Sequence, residues 1–184
     1  MDDQTRLLLA ARDGDEVCFA AWVRQTQAEV WRLCAHLVDR RAADDVTQEV
    51  YVRAWRALPA FRGDASGRTW LLSIARRTCA DAIRSTVRRR RLDALMGRST
   101  VERPPDEAEE LTLADLIDRL DPDRRAAFAL TQVLGLTYAE AADVCDCPVG
   151  TIRSRVARAR ADLVTALAVT ETVTPAETEM PTRP

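Results

Sequence analysis

The chain has no lysine and one histidine, His36; all 27 of its cationic side chains are arginine. A GC-rich coding bias would produce that imbalance, and so would a need for planar, bidentate contacts to phosphates and bases. A lone histidine gives no Ser/His/Asp constellation, and none of the six glycines falls in a phosphate-cradling loop. The five cysteines (Cys18, Cys34, Cys79, Cys145 and Cys147) are odd in number and form no CxxC pair. A disulfide framework and a tetrahedral zinc site are both unsupported, so free thiols, mostly buried, in a cytoplasmic protein are expected. Long apolar runs are missing as well. The opening MDDQTRLLLAARDGDE is acidic and reads as neither signal peptide nor membrane span. A metal-binding helical bundle using His36, Asp44, Asp45 and Glu49 would need a Glu-x-x-His repeat, which the sequence lacks. No catalytic residue, metal or cofactor is expected, and the chain does not read as an enzyme.

Strand signals are nearly absent too. Apolar residues recur at spacings of three and four rather than two, which makes the fold class all-α. A first helix is predicted from about Gln4 to Arg12, stopping at Gly14, and a second from about Asp15 to Val38. RAADDVTQEVYVRAWRAL gives a third and GRTWLLSIARRTCADAIRSTVRRRR a fourth, with PAFRGDAS as the loop between them. GRSTVERPPDEAEE reads as a flexible acidic linker. Three or four short helices follow from about Leu111 to Leu167, with Asp121-Pro122 opening one and Gly135 closing it. The Thr/Pro/Glu-rich end is expected to be disordered. The predicted organisation is a helical domain over 1–93, a linker over 94–110, a second helical domain over 111–168 and a tail over 169–184.

Charge is segregated along this plan. The net charge is only −2, yet Arg76 to Arg91 holds seven arginines and one acid, whereas Glu102 to Asp123 holds nine acids and two arginines. Distribution, not the sum, points to an anionic partner.

The most informative stretch is CPVGTIRSRVARARADL, Cys147 to Leu163. On a 100° wheel Val149, Ile152, Val156, Ala159 and Leu163 lie within about 80° of one another, forming one buried stripe. Thr151, Ser154, Arg155 and Arg158 point away from it, and Arg153 and Arg160 flank it. No acid lies between Cys147 and Ala161, so the arginines lack local carboxylates and await an external anion. Upstream, Thr137 and Glu140 stand at capping-box spacing, marking a preceding short helix. Cys147-Pro148 is predicted as N-cap and first-turn proline, and Asp146 as the left-handed residue of a tight turn. Short helix, tight turn and cationic second helix make a helix-turn-helix pattern.

From about Leu7 to Leu167 the sequence resembles the extracytoplasmic-function (ECF) sigma factors, small two-domain specificity subunits of bacterial RNA polymerase. DDVTQEVYVRAWRAL is similar to their polymerase-binding segment, FRGDASGRTWLLSIARR to the promoter-melting stretch, and LTYAEAADVCDCPVGTIRSRVARARADL to the helix that reads the −35 element. The resemblance implies that Asp45, Gln48, Glu49 and Arg53 contact core polymerase, through its β and β′ subunits. It implies that Phe61, Arg62, Gly63, Asp64, Ala65, Ser66, Trp70, Arg76 and Arg77 engage the melted single strand of the −10 element. Arg77 stands where the family often has asparagine, which leaves the −10 base open. It assigns base-edge reading in the duplex −35 element to Arg153, Ser154, Ala157 and Arg158, with Thr151, Arg155 and Arg160 nearer phosphates. An anti-sigma protein is a candidate partner, and no membrane insertion is expected. The competing reading is an autonomous helix-turn-helix regulator that binds duplex DNA alone.

Overall fold

The computed structural model describes residues 2–38, 40–96 and 112–173. The helix starts are written in short polar side chains. Asp2 accepts from the Thr5 amide (2.9 Å) to open α1 (Asp3–Arg12), and Gly14, at φ 106°, ends that segment. Asp15 accepts from the Cys18 amide to open α2 (Glu16–Leu37). The third helix, α3 (Ala43–Ala57), has no side-chain cap and is entered instead through a 3-10 turn, Arg40–Ala42. A second such turn, Leu58–Ala60, leads to Ser66, whose hydroxyl caps α4 (Gly67–Leu95).

These four helices close on Trp22, Val30, Leu33, Val50, Leu71 and Leu72, all fully buried. Each such aliphatic side chain contributes about 1.5–3 kcal/mol of hydrophobic stabilisation. Gly67 is where α1 meets α4: its amide donates to Thr5 Oγ1 at 2.8 Å, and a Cβ there would lie 3.0 Å from the Thr5 nitrogen and the Gln4 carbonyl carbon. Only glycine allows that approach.

The C-terminal half comprises α5 (Leu113–Asp118), α6 (Pro122–Phe128), a π turn at Ala129–Val133, α7 (Tyr138–Cys145) and α8 (Val149–Val173). Asp121-Pro122 opens α6, and Gly135 at φ 69° follows the π turn, as the sequence predicts. The Thr137–Glu140 capping box is present in both directions. Hydrogen bonds from the Thr137 amide and hydroxyl hold the Glu140 carboxyl below its ordinary pKa. Because that folded pKa is depressed, the stability contributed by the box is present above the unfolded value and is lost as pH falls through the folded one. Thr137→Ala removes one satisfied donor and acceptor, and thermal unfolding at neutral pH is expected to show a loss of about 1 kcal/mol.

Both predicted helical domains are present, and they touch: α4 packs along α7 while α2 meets α5 and α6, and one apolar cluster runs from Leu8 through Ala75 to Val144 and Ile152. Arg68 ties the halves, hydrogen bonding both to Glu29 and to the Leu134 carbonyl. The cause is composition: α7 carries small residues on two faces, so Ala141, Ala142 and Val144 are buried although α8 is its neighbour on one side only. The helix predicted to be capped by Cys147 begins one residue later, with the Pro148 carbonyl accepting from Thr151 (2.8 Å). The preceding turn uses Cys147, whose amide returns to the Ala142 carbonyl. Val149, predicted in the buried stripe, is 37% exposed because a first-turn side chain points back past the end of the packing surface. Finally, α8 continues to Val173 instead of ending near 169, since neither glycine nor proline interrupts it before Pro175. The linker residues 97–110 and the tail beyond 173 lie outside the described residues.

Candidate functional site

The turn before α8 sets its aim. Asp146 adopts φ 52°, ψ 53°, the left-handed conformation predicted for it and the only positive φ outside glycine among the described residues. This turns the chain sharply between α7 and α8. Ile152, Val156, Ala159 and Leu163 then enter the core, fixing the rotation of α8. Arg153, Ser154, Ala157, Arg158 and Arg160 are thereby exposed, and Thr151 and Arg155 are half-buried.

Two of the four arginines do have protein partners, contrary to the expectation that all await an external anion. Arg155 pairs with Asp123 of α6, and Arg160 donates to Gln132 Oε1 at 2.6 Å. Arg153 and Arg158 carry no ion pair among the described residues. Ser154 returns its hydroxyl to the Thr151 carbonyl (2.9 Å). Two free guanidinium groups beside one methyl and one hydroxyl form a surface fit for base edges, since guanidinium matches guanine O6 and N7 together.

The second cluster surrounds the loop before α4. Arg62, Asp64 and Ala65 are exposed, Gly63 sits at φ 78°, and Ser66 is the α4 cap. Phe61 is only 3% exposed, its ring centroid 4.9 Å from that of Trp70, and its carbonyl accepts from Arg12. The resemblance implies that Phe61 engages the melted −10 strand; its ring lies in the core, where it joins the Trp22–Trp70 aromatic cluster. Trp70 remains half-buried. Arg76 faces Asp123 at 3.7 Å, so a single α6 carboxylate lies between an arginine of α4 and one of α8; Arg77 is exposed.

The third cluster lies on α3. Asp45 and Gln48 are exposed and Glu49 is half-buried. Arg53 is held on both sides, its Nε donating to Glu49 (2.7 Å) and its Nη1 to Asp81 of α4 (2.6 Å). These bonds, that to Glu49 foremost, raise the guanidinium pKa, while the bond from Arg53 lowers that of Asp81. Val46 and Val50 are buried in the core, but Trp55 is 46% exposed, edge-on to Phe19. Trp31, Asp81, Asp123 and Gln132 are the polar partners that the sequence did not single out. Each acts across a gap of many residues and leaves no local spacing signal.

No described helix is long and apolar enough to cross a membrane. The family profile described as Sigma-70 region 2 matches residues 22–90, and Sigma-70, region 4 matches residues 110–163. The chain is similar to the ECF RNA polymerase sigma factor SigC of Mycobacterium tuberculosis, with 47% identity over 167 residues, covering 86% of this chain and 89% of that one. Among solved structures it is similar to CnrH in complex with the cytosolic domain of CnrY (TM-score 0.69, 25% identity, covering 91% of this chain and 99% of that one). It is also similar to the sigma factor RpoE bound to the anti-sigma factor NepR from Bartonella quintana (TM-score 0.68, 26% identity, 82% and 97% covered). With the three clusters falling inside the two matched regions, the chain belongs to the ECF sigma factors, the alternative sigma subunits of RNA polymerase that direct transcription initiation.

Proposed function

We propose that the three clusters divide the work of initiation: α3 docks core polymerase, the loop at 61–66 with Trp70, Arg76 and Arg77 receives the melted −10 strand, and α8 reads the −35 duplex. The observation that carries this reading is the face of α8, where Arg153 and Arg158 are exposed and carry no ion pair among the described residues, on a helix whose opposite stripe is buried. A helix with one locked face and one cationic free face is built for insertion into a major groove. In the −10 cluster, Arg62 and Arg77 supply exposed phosphate contacts while Trp70, with one edge open, supplies the stacking surface a single strand needs. Phe61 acts behind it, by positioning Trp70. The protein performs no chemistry of its own; bond formation belongs to the polymerase, and the site of action is the cytoplasm. One solved relative is bound to an anti-sigma factor, which supports an anti-sigma protein as the further partner of this chain. An autonomous regulator is not favoured, since the relatives are polymerase subunits.

The docking assignment is tested by reversing Asp45 and Glu49 together to arginine. Exposed interface charges set encounter and register, so affinity for purified core polymerase is expected to fall by about tenfold or more at physiological salt. Wild-type retention of polymerase by the double variant in a pull-down would remove α3 from the interface. Glu49 also holds Arg53, so circular dichroism must accompany the measurement.

A further inference from the structure

Two thiols meet inside the first bundle. Cys34 of α2 and Cys79 of α4 are both sealed from solvent, and the Cys79 thiol donates to Cys34 Sγ at 3.7 Å. The other three cysteines are engaged elsewhere: Cys18 donates to the Asp15 carboxylate, Cys147 Sγ accepts from Arg155, and buried Cys145 bonds to no other sulfur among the described residues. The bond from Cys79, helped by the neighbouring Thr47 hydroxyl, favours a thiolate at Cys34 against the burial that opposes it, and the proton stays on Cys79. A thiolate against a thiol is the arrangement from which disulfides form.

Space opens on both sides of the pair. Between α4 and α6 a cavity of about 60 Å³ has Cys79 in its wall, with Leu37, Ile83 and Ala126 around it and Arg76 and Asp123 beside them. At roughly 30 Å³ for each water, it has room for a molecule of two oxygen atoms. On the opposite side the groove between α2 and α3 reaches Thr47, the neighbour of Cys34. We propose that Cys34 and Cys79 are an oxidation site, at which a peroxide converts the two thiols into a disulfide that fastens α2 to α4. The Cys34 thiolate attacks one peroxide oxygen; the O–O bond breaks, the second oxygen leaves as hydroxide and takes up the proton that Cys34 gave up, and Cys34 becomes a sulfenic acid. Cys79 then attacks that sulfur; the S–S bond forms, the S–O bond breaks, and the departing hydroxide carries off the Cys79 proton as a second water. The two sulfurs are oxidised and the two peroxide oxygens reduced. The sulfurs close by about 1.7 Å to reach the bonded distance, a movement shared by two side chains and two helices. The new bond closes a span of 45 residues that contains α3 and the loop at 61–66, so it braces the segment holding two of the three clusters. In a reducing compartment the dithiol is the resting form and the disulfide is transient.

The full chain carrying Cys18→Ser and Cys147→Ser tests the site, since both half-exposed thiols are then gone and Cys34, Cys79 and Cys145 remain. After exposure to hydrogen peroxide and removal of the excess, free thiols are counted on unfolding, the intact mass is measured and the peptides are mapped. The count is expected to fall from three to one, the mass to drop by two hydrogen atoms, and one peptide pair to join Cys34 to Cys79. The melting temperature is expected to rise by about 8 °C or more, as closure of a loop of this length gives, and to return with dithiothreitol. Cys79→Ala in the same background is expected to stop at the Cys34 sulfenic acid, which dimedone traps on unfolding. Three free thiols after an exposure that oxidises Cys147 in the wild-type chain would overturn the proposal. So would a mapped bond to Cys145, oxygen added to Cys34 or Cys79 without a bond between them, or a mapped Cys34–Cys79 bond that leaves the melting temperature unchanged. Dimedone on Cys145 alone in the Cys79→Ala chain would overturn Cys34 as the attacking sulfur. The thiol count and peptide map decide the matter even where Cys79→Ala fails to fold, and none of these readouts depends on polymerase or promoter.

Discussion

An aspartate in place of Ile152 is expected to unfold the C-terminal half of the chain and to release α7 from α4. Ile152 is 0% exposed and lies in the cluster that joins the two halves, so the new carboxyl has no water and no cationic partner there. Burying such a group, together with the lost packing of isoleucine, costs several kcal/mol. Whole domains are stable by only about 5–15 kcal/mol. Val149→Asp is the matched control: three positions earlier, on the same nominal stripe but 37% exposed, it is expected to leave the melting curve nearly unchanged. Circular dichroism with heating distinguishes the two. Cooperative melting of the Ile152 variant at the wild-type temperature would show that the stripe does not anchor α8.

Arg158→Ala is expected to cost holoenzyme about 1–3 kcal/mol in promoter affinity and to relax preference at one −35 base pair. Arg158 has no partner to release among the described residues, so its contact set is available to DNA. Arg160→Ala is expected to weaken binding alike on all sequences and to flatten the salt slope by about 1, as a phosphate contact does. Its bond to Gln132 tempers that loss, because DNA must replace an existing hydrogen bond. A panel of single-base −35 variants at two salt concentrations measures both. Unchanged base preference in a folded Arg158 variant would mean that α8 enters the groove at a different rotation.

The parts of this structure that were legible in the sequence are those governed by neighbours along the chain. Thr137 and Glu140, Asp121 and Pro122, and the left-handed Asp146 are local signals, and each does what its type and position demand. The buried stripe of α8 was legible as periodicity, except at Val149, where periodicity knows nothing of where a helix stops touching its neighbour. The packing of α4 on α7 was not legible. Alanine-rich faces are compatible with solvent or with a close neighbour, so nothing local in the sequence marks this contact. The same limit hid Asp123: an acid 32 residues before Arg155 leaves no i,i+4 trace, so α8 read as more fully uncompensated than it is. Phe61 shows a third kind of limit, since an aromatic beside arginines fits both a stacking surface and a core, and the Trp22–Trp70 stack decided for the core.

The five thiols give the chain a graded chemical clock. Cys34 and Cys79 face each other across α2 and α4 at 3.7 Å, both sealed from solvent, and the hydrogen bond that Cys79 donates to Cys34 pushes the Cys79 thiol up. Cys145 is pushed up to about 11 by burial, and half-exposed Cys18 is raised by its bond to the Asp15 carboxylate. Thiolate, not thiol, reacts with alkylating reagents. Iodoacetamide therefore reaches Cys147 first, half-exposed in the turn before α8, and takes Cys18 slowly for want of thiolate. It reaches Cys145 when the C-terminal half opens, and Cys34 with Cys79 only when α2 and α4 part. The order in which the cysteines acquire label is thus a native record of which half of the molecule opens first.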